Sequence, residues 1–63
     1  MADIRWEEPF CAEGSNCFRI GTDPEGNAYL AIAGQEENHL KDTREALRTL
    51  ITDIKAGKAD HLL

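Results

Sequence analysis

Long apolar runs are missing from this 63-residue chain, and nothing in it approaches the roughly 20 consecutive apolar residues of a membrane-spanning helix. The first residues, Met1-Ala2-Asp3-Ile4-Arg5, lack the basic segment and apolar stretch of a secretory signal, so a cytoplasmic location is expected. Aromatic residues are scarce: Trp6, Phe10, Phe18 and Tyr29 are the whole set. No glycine pattern cradles a phosphate, because Gly21 and Gly26 flank a turn and Gly14 sits in a loop. Positive charge is also in short supply, with seven Lys and Arg against twelve Asp and Glu and a net charge of −5. Such a surface repels phosphates. Direct nucleic-acid binding is disfavoured, and a basic protein becomes the natural complement.

What is present is globular in composition, 41% apolar and 30% charged with only two prolines. The length allows one small domain, residues 1–63. A domain of this size buries a low share of its unfolded surface and is marginally stable, so a stabilising partner or a homodimer is expected. The charge is unevenly spread. Residues 1–38 hold eight acids against Arg5 and Arg19, a net −6, while residues 39–63 hold four acids against five basic residues, a net +1.

Hydropathy alternation places Ile4 and Trp6 on one side of a short strand that Pro9 ends. Residues 13–16, Glu-Gly-Ser-Asn, are loop chemistry, and a second strand is read over Cys17-Phe18-Arg19-Ile20. Thr22-Asp23-Pro24-Glu25-Gly26-Asn27 is a turn signal: proline presets φ at the first corner, and glycine takes the left-handed position that closes a hairpin. The returning strand, Ala28 to Ala33, is apolar on both faces, with Leu30 and Ile32 opposite Tyr29, Ala31 and Ala33. A strand of that kind is usually covered on both sides. The second cover is expected from the N-terminal segment, a copy of the chain or another protein.

After the polar connection Gly34 to Asn38, Asp42 with Glu45 three residues on outlines a capping box. Leu47, Leu50, Ile51 and Ile54 then recur on one helical stripe, and Gly57 supplies the stop. The fold expected is α+β, a small antiparallel sheet of about three short strands packed against one C-terminal helix. Trp6 and Phe18 are expected in the core under that helix. Tyr29, opposite Leu30, is expected as an exposed contact, and Leu62 and Leu63, beyond the helix stop, as residues that fold back on the sheet, fray or dock into a partner.

Candidate chemistry is thin. Cys11, Cys17, His39 and His61 could complete a tetrahedral zinc site, but the cysteines are separated by five residues and neither histidine is paired at helical spacing. A catalytic Cys17 with His39 or His61 would need a third orienting group and a walled pocket, neither of which the sequence implies. The expectation is therefore no enzyme, no cofactor and no metal. The cysteines are expected as free thiols, although Cys11 and Cys17 are close enough in sequence to bridge.

Trp6-Glu7-Glu8-Pro9-Phe10, then Gly14-Ser15-Asn16-Cys17-Phe18-Arg19-Ile20, and finally Lys55-Ala56-Gly57-Lys58-Ala59-Asp60 before His61-Leu62, give an order of features that resembles the small actinobacterial family called domain of unknown function three-nine-seven. The chain departs from the family pattern at Ala31-Ile32-Ala33-Gly34-Gln35, at Leu47 and at Ala59. The resemblance implies a small sheet with a C-terminal helix and a regulatory accessory role beside helix-turn-helix transcription regulators. It carries no catalytic residues. The function expected is thus a non-enzymatic protein that binds and modulates such a regulator through Glu7, Glu8, Tyr29, Glu36, Glu37 and Leu62. The alternative is a thiol or metal sensor using Cys11 and Cys17.

Overall fold

The computed structural model describes residues 3–11 and 17–63. Among them the chain forms an antiparallel sheet in the order β1 (Arg5–Trp6), β2 (Phe18–Thr22), β3 (Asn27–Ile32), β4 (Leu40–Thr43), followed by the helix α1 (Arg44–Lys55). The architecture is the α+β arrangement expected, with a fourth strand where the sequence suggests only a lead-in to the helix. Leu40-Lys41-Asp42-Thr43 has little apolar alternation to announce it, and all four residues are exposed. Its backbone pairing with β3, Leu30 opposite Leu40 and Ala28 opposite Asp42, makes it a strand.

The β2–β3 hairpin closes as its residues dictate. Gly26 takes φ +88, where a Cβ would be strained, and Asp23 and Asn27 bond across the turn. Beyond β1 the chain stays beside β2: the Glu7 N–H donates to the Ile20 carbonyl at 2.8 Å, and Phe10 bridges Phe18. The next pair in that register is Cys11 and Cys17, whose Cα atoms lie 4.7 Å apart and whose sulfurs form a disulfide. The expectation of free thiols is corrected by that pairing, which brings together two cysteines that sequence spacing leaves ambiguous.

Helix α1 starts one residue later than the capping box suggests. Thr43 is the cap, with extended backbone and an Oγ1 that accepts from the Ala46 N–H at 3.1 Å, while the Asp42 carboxylate accepts from the Thr43 N–H instead. The other end is as expected: Gly57, at φ +88, donates to the Ile54 carbonyl and Lys58 to that of Asp53, a Schellman ending.

Pairing and alternation divide the sheet into two faces. One carries Cys17, Arg19, Gly21, Tyr29, Ala31 and Trp6, and it is the better covered. Gly21 lies under the Trp6 indole and Ile4 so closely that a Cβ there would stand 2.8 Å from each. The N-terminal segment therefore supplies the second cover for β3. The opposite face carries Phe10, Phe18, Ile20, Leu30, Ile32 and Leu40, with Ala28 buried beneath the start of α1. Trp6 and Phe18, expected together under the helix, lie on opposite faces. The reason is register: Trp6 pairs with Gly21, an odd number of residues from Phe18.

Candidate functional site

On the covered face Asp23, Asn27 and Tyr29 are committed to one another. Tyr29 is 3% exposed, and its hydroxyl donates to the Asp23 carboxylate at 2.6 Å. The same carboxylate accepts from the backbone N–H of Glu25 and Asn27 and from the Asn27 side-chain amide. The Tyr29 hydrogen bond, above all, holds the Asp23 pKa at about 2, against an ordinary 3.8. The Asp23 hydrogen bond in turn pushes Tyr29 up to about 12. His39 stands edge-on to the Tyr29 ring with centroids 5.0 Å apart, 6.1 Å from the Trp6 ring centre, and its Nδ1 meets the Glu36 carbonyl at 2.8 Å. With every acceptor of Asp23 engaged by its own turn and tyrosine, this cluster locks a hairpin. The expectation that Tyr29 is an exposed contact is corrected: its face is capped by Trp6 and His39, and its hydroxyl is tied to Asp23.

The other face is open. Phe10 and Phe18 are 64% and 62% exposed, Leu40 is 71% exposed, and Ile32 is exposed between Phe18 and the 3₁₀ turn that follows. Helix α1 begins over this face but buries none of its own residues. Ala46 and Leu47 are half-buried, whereas Leu50, Ile51 and Ile54 remain 48%, 41% and 50% exposed. Leu50 is thus not the core residue its position in the stripe suggests. A groove of about 390 Å³ runs between helix and sheet, walled by Leu30, Leu40, Leu47 and Leu50. The outer flank of the helix joins Leu47 and Ile51 to Arg44, Arg48 and Lys55 in one surface.

The acidic residues expected to meet a partner sort into two kinds. Glu7, Glu8 and Glu37 are exposed. Glu36 is half-buried and ion-paired, its carboxylate 2.8 Å from Arg19 Nη1, and that bond lowers its pKa. Arg19 also donates through Nε to the Glu7 carbonyl at 2.8 Å, so it clasps the segment after β1 to the 3₁₀ turn Glu36–Asn38. Leu62 is 76% exposed in a terminal 3₁₀ turn and is not folded back on the sheet. Phe10, Phe18, Ile32 and Leu40 were not marked by sequence reasoning as contacts. The available signal was arithmetic: one face of three strands and the following segment carries more large apolar side chains than one 12-residue helix covers.

The four-ligand zinc arrangement is not formed, since Cys11 and Cys17 are bonded to each other and His39 is turned onto the aromatic pair. Among the described residues no group of three or more His, Cys, Asp and Glu is placed to hold a metal ion, and no helix is long and apolar enough to cross a membrane. Compared with known proteins, the chain matches no family model, no curated protein and no solved structure.

Proposed function

We propose that the chain is a non-enzymatic interaction module whose open sheet face docks onto a basic protein partner, a helix-turn-helix transcription regulator that it modulates. The observation that carries this reading is the contiguous exposed apolar surface made by Phe10, Phe18, Ile32 and Leu40 beside the half-covered helix. Exposed apolar patches of this extent on a small protein mark interaction sites. The chemistry of the partner follows from charge: Glu7 and Glu8 precede Phe10 in the segment beside β2, and residues 1–38 carry a net −6. A basic DNA-binding protein offers the complementary charge, and apolar anchors ringed by charge are the usual anatomy of a specific contact. The choice of a helix-turn-helix regulator rests on the family that the sequence resembles. The test is co-purification with the helix-turn-helix protein encoded nearest the gene. A stable complex that excludes the regulator's operator or alters its occupancy is the expected result, and recovery of the two proteins apart at low salt contradicts it.

The Cys11–Cys17 disulfide favours a second reading, in which the bond is a redox element that regulates the same surface. It joins residues flanking the Phe10–Phe18 bridge, so its reduction would loosen the edge of the docking face. Thiol titration before and after reductant, with regulator binding measured in both states, separates the readings. Equal binding in both states leaves the interaction module alone.

A further inference from the structure

We infer that, in the absence of another protein, two copies of the chain cover each other's open faces, with the exposed stripe of α1 from one copy lying on the Phe10–Phe18–Ile32 surface of the second, and the reverse. Size gives the first reason. The chain exposes 5231 Å² and has a mass of 7.0 kDa, whereas a compact monomer of that mass exposes about 4,000 Å². The excess of roughly 1,200 Å² exceeds the ~800 Å² each partner contributes to a standard interface. The radius of gyration agrees, at 12.4 Å against about 10.6 Å for a compact chain of this length.

Chemistry gives the second. The two surfaces left open are both apolar but differ in the charge beside them. On the helix, Leu47 and Ile51 adjoin the basic flank Arg44, Arg48 and Lys55, and the aromatic pair Phe10 and Phe18 follows the exposed acids Glu7 and Glu8 in the segment beside β2. Helix on helix in an antiparallel pair would set that basic flank against itself. Helix on sheet sets it against acids. Because each copy owns one surface of each kind, a two-fold axis satisfies both at once, and the assembly closes at two.

Of the sheet's two edge strands, β1 is only two residues long and β4 is guarded by its own side chains. Residues directly opposite across an antiparallel pair share a face. Of the two-fold registers open to β4, the two that overlap the strands most put Lys41 opposite the same lysine or Asp42 opposite the same aspartate. The dimer thus forms through faces. This inference stands apart from the regulator reading, since self-association is measured with no other protein present.

Sedimentation equilibrium of the purified oxidised chain tests it, together with Ile54→Arg on the helix and Phe18→Arg on the sheet. Both positions are at least half exposed, so each variant keeps its far-UV circular dichroism. The wild type is expected at twice 7.0 kDa at micromolar concentration. Each substitution enters a two-fold interface twice and weakens the dimer by roughly a hundredfold or more. Mixing the two variants restores part of the dimer, because the mixed pair retains one intact helix-on-sheet contact. A wild-type monomer throughout the micromolar range overturns the inference. So does a Phe18→Arg variant that dimerises like the wild type, or a mixture that gains nothing over either variant alone.

Discussion

Replacing Gly21 with alanine should destabilise the fold, against the usual direction of such a change in a strand. Gly21 is not among the glycines with positive φ, so its backbone accepts alanine, and the loss of unfolded-state freedom alone would stabilise by about 0.4–1 kcal/mol. Space decides otherwise. The added Cβ would stand 2.8 Å from Ile4 Cγ2, 2.8 Å from Trp6 Cε3 and 3.1 Å from Trp6 Cδ2. Ordinary carbon contacts lie at about 3.5–4.0 Å, so the indole must retreat by roughly 0.7 Å. The indole is a rigid plate resting against Tyr29, with ring centres 6.4 Å apart, and against His39, and it cannot retreat without uncovering them. Overpacking of this kind costs about 1–3 kcal/mol, which at the middle of the two ranges leaves a net loss of about 1 kcal/mol after the backbone gain. In a domain this small each kcal/mol moves the melting temperature by about 4–8 °C. Trp6 is the chain's one tryptophan and sits at the point of contact, so urea or thermal unfolding followed by its fluorescence reads both the stability and the local change. A Gly21→Ala variant as stable as the wild type, or more so, refutes the placement of the indole on Gly21.

Stability should fall at both ends of the pH scale through one hydrogen bond. Asp23, depressed from 3.8 to about 2, contributes stability that is complete above 3.8 and lost as pH falls through about 2; Tyr29, raised from 10.0 to about 12, contributes below 10.0 and loses it as pH rises towards 12. Tyr29→Phe should move the acid midpoint of unfolding upward, and an unmoved midpoint means the bond does not bias Asp23. Leu50→Ala should cost only about 1 kcal/mol in denaturant melts, well under the 2–5 kcal/mol of a buried leucine, because Leu50 is half exposed; a loss at the buried level would place it in the core. Reducing the Cys11–Cys17 bond, which closes a short loop, should lower stability by about 2 kcal/mol in the chain-entropy estimate, measured by melts with and without reductant. Identical melts would show that the bond constrains nothing.

The elements with strong local chemistry were legible from sequence. Asp23-Pro24-Glu25-Gly26 sits at a turn whose geometry its residue types require, the Leu47 to Ile54 stripe announces a helix, and Gly57 ends it where a left-handed residue is needed. Strand β4 was not legible because four mixed residues, Leu-Lys-Asp-Thr, are held by backbone bonds to β3 and not by their own alternation. The cap moved from Asp42 to Thr43 for the same reason, since pairing with Ala28 keeps Asp42 in the strand. Tyr29 was misplaced because its burial depends on long-range partners: Trp6 comes from β1, His39 from beyond β3, and no local pattern relates them. The candidate surface was half visible. Its acids stand out in the charge count, but the exposure of Phe10 and Phe18 is set by where α1 stops covering the sheet, and a helical stripe reveals its own apolar face without revealing what it packs on.

The most direct test of the proposed docking surface is titration calorimetry of the proposed partner, a helix-turn-helix regulator, with wild type, Phe18→Arg and Pro24→Ala. Phe18 lies in the open face, and Pro24 lies at the hairpin tip at the far end of β2 and β3. The account predicts that Phe18→Arg weakens binding by at least roughly tenfold, about 1.4 kcal/mol, while Pro24→Ala binds as the wild type does. A Phe18→Arg variant that keeps wild-type affinity contradicts it, because the charge would then sit at the centre of the supposed contact without effect.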